Sequence, residues 1–410
     1  MDHLFRHHYG KMVSVLTRIF GLSNLELIED AVQDTFIKAL AAWRINKPEN
    51  PEAWLTKAAK NRVIDLFRKL NADQKRIPKI DSGPATYAIN ELFLDNEIED
   101  SQLRMIFTAC HPILNPKDQI AFALKTISGF STREIASALL LKEESIKKRL
   151  MRARKSIVEK KLSFEIPQGA ELPKRLSRVL ETLYLTFNEG FHSNRKDLLI
   201  RKELCGEAIR LCQLLRNNEY TKTSAAHALF ALMCFHTARL DSKVGENQEI
   251  IDLKNQDRSK WYAPLIIMGN AAMDEAVTDG IYSSYHYEAA IASEHLISKS
   301  FEDTNWDKIL MWYEKLAEIQ PAAITMLNIA VVHIQRKDYQ KASDILLEQD
   351  PLDLEQRGYL YYGTWAELYL HQGEYHKAIK SLEEAIRLVN NDAEKCYLTK
   401  KKAALSTQIK

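Results

Sequence analysis

The residues best suited to chemistry lie on one stripe of a short segment: Ser145, Lys148, Arg149, Arg152 and Ser156. At that spacing they share a helix face. Guanidinium and ammonium groups so arranged can hydrogen-bond guanine edges and the phosphate oxygens of DNA. From Lys142 to Lys161 there are nine Lys/Arg against three Glu, a net charge of +6. Other chemistry is poorly supported. Cys110-His111 has the residue types of a metal ligand pair, but no second Cys/His pair lies at a supporting spacing, so no metal is expected. Cys205 and Cys212 fall on one helix face and read as core. Asn188-Glu189-Gly190-Phe191-His192 and Asp257-Arg258-Ser259-Lys260-Trp261 read as hydrogen-bonded loops at helix junctions. With no phosphate loop, dinucleotide glycine pattern or nucleophile elbow, no cofactor and no enzymatic activity are expected.

The cationic stripe needs a scaffold, and its own helix supplies half of one. Ile146, Leu150, Ala153 and Ile157 form an apolar stripe opposite the charges. Just upstream, Ser131 and Glu134 make a capping box that opens a short helix from Thr132 to about Leu140, with Ile135, Ala136 and Leu139 inward. A bend near Leu141 joins the two. A short capped helix, a turn and a longer helix with a basic outer face is the helix-turn-helix arrangement, whose second helix enters the major groove.

The whole chain sets the context. Its 410 residues predict two or three domains, and 46% hydrophobic with 27% charged residues is ordinary for a soluble globular protein. Few Gly and Pro among long Leu/Ala/Lys/Glu-rich periodic segments predict an all-α fold. A net charge of +2 excludes a general polyanion binder, so the basic segment must be balanced elsewhere. Five scattered cysteines suggest reduced thiols and a cytoplasmic protein. The N-terminal sequence lacks a signal-peptide pattern, and the apolar runs are too short to span a bilayer, so no membrane association is expected.

Residues 1–70 read as a helical domain. His3 to Phe20 carries an apolar stripe, Gly21 breaks it, and Asn24 to Trp43 follows with Leu27, Ala31, Phe36, Ala39 and Leu40 inward. The outer face of that second helix shows Glu29, Asp30, Gln33, Asp34 and Lys38. After Pro48 and Pro51 comes a helix with Trp54, Leu55, Ala58, Ala59, Val63, Leu66 and Phe67 on one side. Its other side presents Lys57, Asn61, Asp65 and Arg68, flanked by Lys60, Arg62 and Lys69. Residues 71–97 read as a linker. Residues 98–162 form the helix-turn-helix domain, with Asn115 as N-cap and Pro116 at the first helical position of one helix.

Residues 29–43, 52–69 and 131–155 together resemble conserved regions 2 and 4 of extracytoplasmic-function sigma factors of the sigma-70 family. The resemblance implies that Glu29, Asp30, Gln33 and Asp34 dock on core RNA polymerase, whose β′ and β subunits would be partners. It implies that Lys57, Lys60, Asn61, Arg62, Asp65 and Arg68 help melt and read the −10 element of promoter DNA. It also implies that Ser145, Lys148, Arg149 and Arg152 read the −35 element. Lys142 stands where the family often has a Ser or Thr cap. Glu143 and Glu144 suit the helix dipole but repel phosphate, which moves the expected contacts to Ser145 and beyond.

A second linker is expected over 163–178, and residues 179–410 read as helical throughout. Tyr362, Trp365, Ala366, Tyr369, Gly373, Tyr375, Ala378, Leu382 and Ala385 match a tetratricopeptide spacing. A weaker copy, Ala330, Tyr339, Ala342 and Leu346, lies 36 residues earlier. The layout resembles the sigma-factor subgroup with a C-terminal tetratricopeptide-like extension, which implies a regulatory contact within the chain or with a protein partner. The alternative is a stand-alone helix-turn-helix regulator with a protein-interaction domain.

Overall fold

The computed structural model describes residues 2–43, 48–74, 95–139, 141–191, 200–245 and 249–408. The described residues are helical apart from turns and one isolated bridge between Val244 and Ile250. They form two compact units, Met1–Leu185 and Thr186–Lys410.

The first unit begins with α1 (Asp2–Phe20), which ends where Gly21 takes a φ of 89°, and continues with α2 (Leu25–Trp43) and α3 (Pro51–Gln74). Met12, Val15 and Leu16 of α1 pack with Ile28, Ala31, Val32 and Phe36 of α2 and with Leu55, Ala59 and Val63 of α3, all buried. The inward set on α2 differs from the expected one. Leu40 is 41% exposed, while Ile28 and Val32 carry the contact. Trp54 is also partly open at 36%, although its ring meets Trp43 edge-on at 5.6 Å. The stretch expected as a linker over 71–97 falls largely outside the described residues; its ends belong to α3 and to α4 (Asp95–Ala109).

Then follow α5 (Pro116–Thr126), α6 (Thr132–Ala138) and α7 (Glu143–Glu159). Local rules set all three starts. The Asn115 side chain accepts from the Lys117 amide at 3.0 Å, and Pro116 opens α5. Ser131 and Glu134 make the expected capping box, with bonds of 3.2 and 2.8 Å. At α7 the cap is Lys142, which makes no side-chain cap bond. Glu143 instead accepts from the Thr132 hydroxyl at 3.0 Å and so ties the two helices of the motif together.

Helix α8 (Glu171–Phe191) starts inside the stretch 163–178 expected as a linker. Its first half belongs to the first unit: Leu176, Val179, Leu180 and Leu183 are buried, and Arg175 donates to the Phe107 carbonyl at 2.7 Å. An amphipathic helix with a partner surface outweighs the breakers around Pro167 and Gly169.

The second unit contains α9 (Lys202–Asn217), α10 (Ser224–Ala238), α11 (Leu240–Lys243), α12 (Ala263–Ala276), α13 (Ser284–Ile297), α14 (Trp306–Ile319), α15 (Ala323–Gln335), α16 (Tyr339–Leu347), α17 (Gly358–His371), α18 (Tyr375–Leu388) and α19 (Asp392–Gln408). Helix α10 is apolar nearly all round and lies centrally against α9, α12 and α13. The two polar clusters form hydrogen-bonded junctions: Glu189 pairs with Arg201 at 2.9 Å, and Arg258 donates to the carbonyls of His295 and Ser298. His192 lies outside the described residues.

The pairs α15–α16 and α17–α18 repeat at the 36-residue spacing. Ala330 and Ala366, Ala342 and Ala378, and Leu346 and Leu382 are all fully buried. The turns repeat too. Lys337 (φ 65°) and Gly373 (φ 76°) occupy equivalent positions. At each, the residue's own amide bonds three residues back, and the next amide bonds five back, the Schellman pattern.

Candidate nucleic-acid interface

Helix α7 is held from below by Ile146, Leu150, Ala153 and Ile157, each buried. That fixes which face remains outside. Lys148 and Arg152 are exposed, and Ser145 and Arg149 are half-buried. The sequence-predicted stripe is therefore brought together, but its arginines are not loose. Arg152 donates to both carboxylate oxygens of Asp118, from Nη2 at 2.8 Å and from Nε at 3.1 Å. That bonding raises the affinity of Arg152 for its proton. Arg149 donates to the Lys117 carbonyl at 3.1 Å, and burial lowers its pKa from the ordinary value. Lys117 and Asp118 both lie in the first turn of α5.

On α3, Lys57, Asn61, Asp65 and Arg68 are exposed, and Arg68 lies 3.7 Å from Asp65. Lys60 is half-buried, with its pKa lowered by desolvation. Arg62 turns toward α2 and pairs with Asp34 at 3.0 Å. One ion pair thus joins the residue set expected for −10 DNA to the set expected for polymerase.

Helix α2 departs most from expectation. Asp30 is exposed, and Gln33 and Asp34 are half-buried, but Glu29 is only 1% exposed and does not belong to an open acidic stripe. Its carboxylate accepts from Nη2 of Arg154 on α7 and from the Tyr9 hydroxyl at 3.3 Å. Burial raises the Glu29 pKa above its ordinary value, opposed by Arg154 and Lys125. Burial also works against the Arg154 charge, but the Glu29 carboxylate outweighs it and raises the Arg154 pKa. Around this pair the backbones touch: a Cβ on Gly10 would lie 1.7 Å from the Ile127 carbonyl oxygen. Arg18 of α1 adds ion pairs to Glu97 and Asp100 of α4, at 2.7 and 3.0 Å. The acidic helix and the cationic helix are therefore packed into one body.

Asp118, Arg154 and Tyr9 were not singled out from sequence. Asp118 has the local signature of an acidic residue suited to a helix N-terminus. Arg154 lies four residues after Leu150 and three before Ile157, beside the apolar stripe, and that spacing is the signal that could have marked it.

Family models now bear on these two helical surfaces. The model of Sigma-70 region 2 matches residues 4–72, which hold α1 to α3. The model of Sigma-70, region 4 matches residues 104–157, which hold the C-terminal end of α4, all of α5 and nearly all of the helix-turn-helix. The chain belongs to the sigma-70 family.

As a sigma factor it serves transcription initiation and is not an enzyme. An uncharacterized protein of Rhizobium meliloti is 32% identical over 380 residues, covering 92% of this chain and 89% of that protein. The ECF RNA polymerase sigma factor SigE of Mycolicibacterium smegmatis is 27% identical over 164 residues, 38% of this chain and 59% of its own length. The ferric citrate uptake sigma factor FecI of Escherichia coli is 27% identical over 168 residues, 41% of this chain and 92% of its own. A family of unknown function (DUF6596) matches residues 175–277, beyond the sigma regions. No solved structure matches the chain. Among the described residues no group of three or more His, Cys, Asp or Glu could hold a metal ion, and no helix is long and apolar enough to cross a membrane.

Proposed function

We propose that this sigma factor binds core RNA polymerase through the outer face of α2, with Asp30, Gln33 and Asp34 in contact and Glu29 joining them when α7 moves away. It reads −10 DNA with Lys57, Lys60, Asn61, Arg62, Asp65 and Arg68, and −35 DNA with Ser145, Lys148, Arg149 and Arg152. The observation that carries this reading is the cationic face of α7 held outward over a buried apolar stripe, in the same chain as a second exposed basic helix, α3. The two promoter elements are centred roughly 25 base pairs apart, or about 85 Å along B-DNA. Regions 2 and 4 pack against each other here, so reading both elements at once requires them to part.

The C-terminal unit is a tetratricopeptide-like array that regulates the sigma regions in cis, in a required supporting role. The repeated turns at Lys337 and Gly373 and the matched buried alanines support the repeat reading. Run-off transcription with core polymerase on genomic promoter fragments tests the function. Promoter-specific transcripts above the core-enzyme background are expected. No stimulation on any fragment, with tight DNA binding by the protein alone, would instead identify a stand-alone operator-binding regulator.

A further inference from the structure

We infer that Asp118 is a specificity-determining positioning residue, which holds Arg152 so that its outward edge reads a guanine in the −35 element. This rests on α7 being the −35 recognition helix. Asp118 lies in the first turn of α5, behind the Asn115 cap, and its amide bonds the Asn115 carbonyl at 2.8 Å. Its side chain is 7% exposed, whereas that of Arg152 is 59% exposed. The carboxylate therefore belongs to the scaffold and the guanidinium to the surface.

The bonds from Nε and Nη2, at 3.1 and 2.8 Å, occupy the side edge of the guanidinium. One N–H of Nη1 and the second of Nη2 point along the end edge, and the other Nη1 N–H is turned back toward Cδ. That end-on pair is the fork that matches guanine O6 and N7. An arginine on a free stem samples many rotamers and meets phosphates as readily as bases. Here the plane is set before DNA arrives. Arg149, bonded to the Lys117 carbonyl at 3.1 Å, is oriented from the same turn of α5.

The pair also has a distinctive charge. Asp118 offsets the Arg152 charge, so the couple draws little on phosphate and contributes to base selection more than to general affinity. Lys148, exposed and outside every ion pair among the described residues, is the natural phosphate contact. Removing the Asp118 charge should therefore raise non-specific affinity while lowering selectivity. A residue that merely braced α5 against α7 would weaken every sequence alike.

The test reconstitutes the full-length protein with core polymerase and selects from a library randomised over the −35 element, at several salt concentrations. Wild type is expected to select guanine at one position. Asp118→Asn and Arg152→Lys should each lower that preference by roughly tenfold, the lysine variant because it keeps the charge but loses the fork. Asp118→Asn should also steepen the salt slope by about one unit. Retention of the guanine preference in Arg152→Lys overturns the inference, even should Asp118→Asn fail to fold. So does an Asp118→Asn variant that binds all sequences more weakly with unchanged selectivity. If wild type selects no −35 sequence, the sigma-factor reading of α7 fails first, which is a separate result.

Discussion

Replacing Arg154 by Met should destabilise the contact between α2 and α7 by about 3–5 kcal/mol at neutral pH, the cost of leaving one partner of a buried ion pair uncompensated. Methionine keeps much of the stem volume, so the charge dominates the change. The carboxylate left behind, at 1% exposure, retains the Tyr9 hydroxyl and the more distant Lys125. Glu29→Gln should cost less, about 1–2 kcal/mol. It leaves Arg154 23% exposed to solvent, with Glu26 3.6 Å away. The pH dependence follows from the direction of the Glu29 shift. Its folded pKa is raised above the ordinary 4.5, so the native state binds the proton more tightly than the unfolded chain. Stability is then fullest below the unfolded value and falls as pH rises through the folded one. Arg154→Met removes a cause that lowers the folded pKa and so extends this decline upward. The gap from wild type should be small near pH 4.5 and widen toward pH 7. A chain of two compact units need not unfold in one step, so hydrogen exchange of α2 and α7 amides is the suitable readout. Equal costs for the two variants, or a gap that does not grow with pH, would refute the reasoning.

Three further outcomes are expected. Lys337→Gly should raise the stability of the second unit by about 0.5–1 kcal/mol, since the left-handed conformation penalises a side chain, and a lower thermal midpoint would contradict this. Leu150→Ala should cost about 2–5 kcal/mol through the buried stripe of α7, whereas Lys148→Ala should leave stability unchanged and flatten the salt slope of DNA binding by about one unit. A fragment ending at Ile166 should melt below one ending at Phe191, because it lacks the buried residues of α8 and the Arg175 bond to the Phe107 carbonyl; equal melting would show α8 to be dispensable to the first unit.

A good part of the fold follows from short-range rules. The Ser131–Glu134 box, the Asn115-Pro116 start and the Gly21 break are encoded within a few residues of where they act. The apolar stripe of α7 and the buried alanines of the 36-residue repeat follow from periodicity, because helix geometry converts spacing directly into facing. The cationic stripe was legible for the same reason. Tertiary structure decided which charges remain free. Glu29 looked like its neighbours Asp30 and Asp34, although Leu25 and Val32, four before and three after it, put it on the buried side of α2. Its partner Arg154 lies 125 positions away, and only the packing of α1 on α4 and α5 brings the two together. Asp118 and Arg152, 34 positions apart, are another such pair. The start of α8 within an expected linker has the same origin, since a helix near breakers is stabilised by a surface that the local sequence does not contain. Periodicity specifies a face, but a salt bridge or a docked helix depends on what that face meets, and chain neighbours carry no record of it.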